Sequence, residues 1–143
     1  MKTVKEILAR KGSEVHTVSP DTTVFEAIRR LAELGIGSLV VVDQGRPVGL
    51  FSERDYTTKV ALQGRDSRHT KVKEVMSPRL LVVSPDTTTE ACMALMTENR
   101  VRHLPVVDQG RLVGLVSIGD IVKDIIDEQQ FVIEQLEKFV YYS

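Results

Sequence analysis

The chain is one unit written twice. The string VSPDTT at Val18 to Thr23 returns at Val83 to Thr88, and VVDQGR at Val41 to Arg46 returns at Val106 to Arg111, both 65 positions later. GLFSERD at residues 49 to 55 returns as GLVSIGD at residues 114 to 120, so Ser52 and Asp55 are matched by Ser117 and Asp120. Repetition at this strictness predicts two copies of one supersecondary plan. Between the shared strings, identities align better at an offset of 64, Ala27 with Ala91 and Leu31 with Leu95, which predicts a one-residue slip that cancels near Gly35 and Asn99. A weaker echo precedes each copy, VKEIL at residues 4 to 8 and VKEVM at residues 72 to 76.

Within each copy the signals run in a fixed order. Asp21 and Thr22 (Asp86 and Thr87) offer N-caps, and Val24, Ala27, Ile28, Leu31 and Leu34 then recur at helical spacing up to Gly35, a good stop. SLVVVD and PVGLF follow, two β-branched or apolar runs joined by DQGR, whose Gly45 suits a hairpin. Ser52 and Ser117 stand where an N-cap opens a second helix, with Asp55 and Asp120 in its first turn. With a short strand before SPDTT (EVHTV, LLVV), each copy reads strand, helix, strand, strand, helix. That makes the fold α/β, with residues 1–62 and 72–126 as the repeats and a polar connector at 63–71, where His69 is expected to be solvated.

The last stretch exceeds this plan. Ile121, Val122, Ile125, Ile126, Val132, Ile133, Leu136 and Val140 recur at spacings of three and four with charges between them, predicting that the final helix runs on through residues 127–143. Its surplus apolar stripe points to a partner, most simply a second copy; folding back on its own subunit is the alternative.

Composition removes several classes of function. Lys and Arg number 19 against 20 Asp and Glu, which leaves no basic excess for holding nucleic-acid phosphates. The longest apolar run, Ala91 to Met96, is far short of the roughly 20 residues that span a bilayer, and MKTVKEILARKG holds no signal-peptide core; the expectation is a soluble, cytoplasmic protein. Cys92, alone in the chain and among apolar neighbours, reads as a buried thiol. No glycine-rich phosphate loop, nucleophile-elbow serine or clustered set of metal ligands is visible, so no catalytic reaction, catalytic cofactor or metal site is expected.

VSPDTT, HLPVVD and GLVSIGD in this order resemble a tandem pair of CBS domains, named from cystathionine beta-synthase and often called a Bateman module. The resemblance covers about residues 3 to 126. It implies two repeats packed sheet to sheet about a pseudo-twofold axis, with two clefts that take adenosine compounds (AMP, ADP, ATP, S-adenosylmethionine or NAD) as regulatory signals. Asp55 and Asp120 match the family's ribose-binding aspartate, and one carboxylate can accept from both hydroxyls of a ribose. Ser52 and Ser117 match its hydroxyl position, and the helix starts behind them are expected to offer N–H groups to a phosphate. Capping alone is the competing explanation of each Ser/Asp pair.

By the same resemblance one site joins Leu50, Ser52, Arg54 and Asp55 with Ser77, Leu81, Val101, Arg102 and His103. The other joins Leu115, Ser117 and Asp120 with His16, Ile36, Gly37 and Ser38. Arg54, Arg102 and His103 would make the first the phosphate-selective site, because a guanidinium suits phosphate oxygens and a protonated histidine adds charge. The expected protein is a homodimeric regulatory module that signals by repeat orientation, oligomer state or an unidentified target protein. The competing reading is a constitutive dimeric adaptor with vestigial clefts.

Overall fold

A computed structural model describes residues 2–142. Each repeat forms a small sheet backed by helices. In the first, β1 (Thr17–Val18) pairs in parallel with β2 (Ser38–Asp43), which pairs antiparallel with β3 (Arg46–Ser52). In the second, β4 (His103–Asp108) and β5 (Arg111–Ser117) repeat that hairpin in the same register. The expected strand LLVV does not form; Val83 alone bridges to Val106, its N–H donating to Pro105 O and its carbonyl accepting from Val107 N. The EVHTV strand likewise shrinks to Thr17 and Val18, so His16 precedes it.

The hairpins carry the repeat most faithfully. Gln44 and Gly45 turn the first with φ of 52° and 80°, and Gln109 and Gly110 turn the second with 52° and 78°. Two successive positive φ values are what a two-residue turn of type I′ requires, and glycine takes the second without strain. The turns also meet across the pseudo-twofold axis, where Leu112 N donates to Gly45 O.

Helices α2 (Val24–Leu34) and α4 (Thr89–Asn99) are both 11 residues long and start 65 positions apart. The expected slip to 64 is therefore wrong. Burial matches Ala27 with Cys92 and Leu31 with Met96, all facing the core, while Ala91 is exposed. Identity misled here because a second alanine lay one position from the buried one. The N-caps are Thr23 and Thr88, one residue later than expected, their hydroxyls accepting from Glu26 N and Ala91 N. Asp21 instead pairs with Lys71 and Lys73, and Thr22 accepts from Ser19 N. Burial of Cys92 pushes its thiol pKa up, as fits a packing role.

Ser52 opens the short α3 (Glu53–Tyr56), which runs into a π-turn at Thr57–Ala61; Ser117 precedes α5 (Ile118–Tyr142), a continuous helix of 25 residues. The predicted prolongation of the final helix is thus present. Among the described residues no helix is long and apolar enough to cross a membrane.

The leaders of the two copies are exchanged. Helix α1 (Val4–Lys11) puts Val4 and Ile7 into the core of the second repeat, with Leu104, Val116 and Ile121. The 3₁₀ turn at Val72–Glu74 puts Val72 and Val75 into the core of the first, with Leu31, Val41 and Phe51. The backbone bonds are equivalent: Val4 N to Thr87 O and Lys5 N to Pro85 O on one side, Val72 N to Thr22 O and Lys73 N to Pro20 O on the other. Each leader seals its host at a glycine. A Cβ on Gly49 would lie 2.6 Å from Met76 Sδ and 2.9 Å from Ser77 O, and one on Gly114 would lie 2.8 Å from Leu8 Cδ1. We expect Gly49→Ala to cost about 1–3 kcal/mol in denaturant unfolding, since the Ser77 carbonyl is tied to Leu50 N and cannot yield cheaply. A neutral result would show that the leader contact is loose.

Helix α1 is further tied to α5 by charge. Asp120, Asp124 and Asp127 fall on one face of α5; Lys11 meets Asp120, Lys2 and Arg10 meet Asp124, and Arg10 also meets Asp127.

Candidate functional site

The two Ser/Asp pairs are built alike and finished differently. In each, the serine hydroxyl accepts from the aspartate N–H, and the aspartate Oδ2 accepts from the serine N–H, a reciprocal cap. The capping explanation is therefore physically realised in both copies. Both carboxylates are partly buried, the side chains being 13% exposed at Asp55 and 22% at Asp120.

They differ in their cation. Asp55 Oδ1 lies 3.1 Å from Lys59 Nζ, one turn along the same segment, and that ammonium also donates to Val75 O. Asp120 Oδ2 lies 2.7 Å from Lys11 Nζ, which arrives from α1 and also donates to Leu115 O at 3.0 Å. Burial pushes the Asp120 pKa up, but the bonds from Lys11 and Ser117 outweigh it and hold the carboxyl below its ordinary value.

Between the repeats lies one cleft of about 850 Å³. The structure brings Leu50, Leu81, Val101, Arg102 and His103 from the first expected site and His16, Ile36, Gly37, Ser38 and Leu115 from the second into its lining. What were expected as two clefts are joined in a single space. Ser52, Arg54, Asp55, Ser77, Ser117 and Asp120 are not in the lining. Arg54 is exposed on α3, and Ser77 is locked to Leu50 by a pair of backbone bonds of 2.9 Å each. Asp120 still reaches the lining through its bond to Lys11.

Two features change the expected handling of phosphate. Glu53 N donates to Gly37 O and Asp55 N to Ser52 Oγ; Ile118 N donates to Arg102 O and Asp120 N to Ser117 Oγ. The helix starts therefore have fewer N–H groups to offer an anion than expected. Side-chain cations stand in the lining instead: Arg102 with the unforeseen Lys11 and Arg79. His103 is held below its ordinary pKa, first by lost hydration and next by Lys11, with Arg102 adding and Asp120 opposing, so it enters the cleft mainly neutral at pH 7.

Lys11, Glu14, Val15, Arg79, Leu80 and Asn99 line the cleft without having been singled out in the sequence. A signal for two of them exists. Counted from the repeated VKE, Lys11 and Arg79 occupy the same position of their leaders, and basic side chains at matched positions in an internal repeat point at a shared axis.

Comparison with known proteins bears on this geometry. The CBS domain profile matches residues 4–61 and 72–127. The structure is similar to that of a putative signal-transduction protein with CBS domains from Burkholderia ambifaria MC40-6, with TM-score 0.80 and 49% identity, covering 90% of this chain and 96% of that one. It is similar to CBSX2 solved in complex with AMP, with TM-score 0.76 and 30% identity over 90% and 99% of the two chains. In sequence it is 34% identical to the mitochondrial CBS domain-containing protein CBSX3 of Arabidopsis thaliana, over 96% of this chain and 71% of that protein.

Proposed function

The chain belongs to the CBS domain family, and from that premise we propose that it is a regulatory module holding an adenine nucleotide (AMP, ADP, ATP or NAD) in the cleft between its repeats, residues 1–62 and 72–126. The observation that carries this reading is the pairing of a partly buried, helix-capping aspartate with cations on the wall of one cleft. A carboxylate suits a ribose diol, cations suit phosphate, and the apolar stretch from Leu50, Leu81, Val101 and Leu115 suits a base. The solved complex of CBSX2 with AMP supports adenosine as the common part. We read the chain as a sensor without chemistry of its own: the ligand biases repeat orientation by its differential affinity for two arrangements, and output runs through oligomer state or another protein.

Titrating AMP while following thermal unfolding tests this. At about 100 times Kd the ligand should stabilise the protein by roughly 2.7 kcal/mol. Asp120→Ala should weaken binding at least about tenfold, since it removes charge-assisted hydrogen bonds worth roughly 1.5–3 kcal/mol each. Asp55→Ala asks the same of the first repeat. No shift with any adenosine compound at millimolar concentration would leave the constitutive adaptor as the better reading.

The extension at 127–143 supports a homodimer. Val122, Ile126, Gln129, Ile133, Leu136 and Val140 alternate spacings of four and three along α5, and the apolar ones among them are 41–71% exposed. Ile126, Ile133 and Val140 share one position of that seven-residue pattern and Val122, Gln129 and Leu136 the other, an apolar seam with one polar residue that suits pairing with a second copy. Removing residues from Gln130 onward should convert the dimer to monomer by light scattering; an intact dimer would place the interface elsewhere.

A further inference from the structure

The two aspartates differ in what a ligand must displace. Lys59, the partner of Asp55, is on the same helical segment, bonded to Val75 O and outside the cleft lining. Lys11, the partner of Asp120, is a lining residue from a separate helix, with only Asp120 and Leu115 O as partners among the described residues. Among those residues every hydrogen bond to Asp120 falls on Oδ2. A diol reaching for this carboxylate can take Oδ1 at once, but a grip on both oxygens competes with the Lys11 ammonium.

We propose that Lys11 is a specificity-determining residue that makes the Asp120 end of the cleft select phosphorylated ligands over neutral ones. The inference rests on the nucleotide reading above. A nucleoside that takes Asp120 strips Lys11 of its ion pair and gives the ammonium nothing in return, in a wall that already holds the cations Arg79 and Arg102. A nucleotide displaces the same bond and supplies a phosphate to the freed ammonium. The lysine thus opposes one class of ligand and favours the other. Four single bonds in its stem let Nζ swing while α1 stays anchored through Val4 and Ile7. Because the helix starts are largely occupied by Gly37 O, Arg102 O and the two serines, side chains must carry phosphate recognition, which raises the weight of this residue. Glu14, the acidic residue in the same lining, would repel a phosphate and makes the nearby cation more necessary.

The test is calorimetric titration of the full chain and its Lys11→Met and Lys11→Arg variants with AMP and with adenosine. The parent should prefer AMP. Lys11→Met should lose about tenfold in AMP affinity, the size of one charge-assisted bond, while adenosine binding holds or tightens. Lys11→Arg should keep most of the preference. A purely structural role would weaken both ligands together, and that result, or an unchanged ratio, would overturn the assignment. If the parent binds neither compound, ADP, ATP and NAD are titrated in the same way. Should none of them bind, the nucleotide reading itself falls, whereas a nucleotide that binds equally well to parent and Lys11→Met overturns only the role of Lys11.

Discussion

Ile7→Ala is expected to lower the stability of the whole protein by about 2–5 kcal/mol in denaturant unfolding, although Ile7 lies about 80 residues or more from most of the side chains it packs with. Ile7 is 1% exposed and completes a core with Cys92, Met96, Leu104, Val116 and Ile121, all from the second repeat. Truncation leaves a cavity there, and α1 cannot shift to fill it, because Val4 N and Lys5 N are bonded to Thr87 O and Pro85 O and Leu8 abuts Gly114. Glu6→Ala on the exposed side of the same helix should stay within about 0.5 kcal/mol. If both variants behave alike, α1 is an appendage and the exchanged leader is not part of the core. A broader consequence follows for dissection. A fragment ending at residue 62 keeps α1 but loses Val72 and Val75, so it should not fold as an independent unit, as circular dichroism of that fragment would show.

The second large effect concerns Asp124. This carboxylate is 3% exposed, and its Oδ2 has no hydrogen-bond partner among the described residues. Lys2 at 3.3 Å and Arg10 at 3.7 Å balance it from α1. Removing both cations as Lys2→Met/Arg10→Met strands a buried charge, which typically costs about 3–5 kcal/mol; the cations are 33% and 40% exposed, so the lower end is expected. Adding Asp124→Leu should recover most of the loss, because an apolar group in that space needs no counter-charge. If the triple variant is no more stable than the double one, the ion pair is not what Asp124 contributes. The pair that Arg10 makes with Asp127, exposed on both sides, should matter far less, so Asp127→Ala is expected to be nearly neutral.

Asp124 also shows how sequence reading falls short at interfaces. IVKDII looks like an amphipathic helix with its aspartate on the wet side, yet that side is where α1 docks. Nothing local signals the docking, since the apolar residues of α1 and those of α5 are separated by more than a hundred positions.

The reading of Ser52/Asp55 and Ser117/Asp120 shows the opposite case. Their spacing of three is a property of the helix start, and both reciprocal caps form as that spacing implies. The same holds for the hairpins, where Gln-Gly supplies two positive φ values in each copy. The interior of α4 was misjudged because alanine and leucine identities shifted the alignment by one, whereas burial follows the 65-residue offset set by the caps.

The amino-acid order alone settled whatever depends on neighbours within one turn or one hairpin: two copies, their helices, their β-hairpins, the capped aspartates and the long final helix. Tertiary structure decided which copy each leader completes, that the expected clefts merge, and that the cation beside Asp120 comes from α1. Those outcomes depend on contacts between segments far apart in the chain. The two leaders make equivalent backbone bonds and equivalent close approaches, at Gly49 and at Gly114, so the local pattern of either leader does not encode which core it completes.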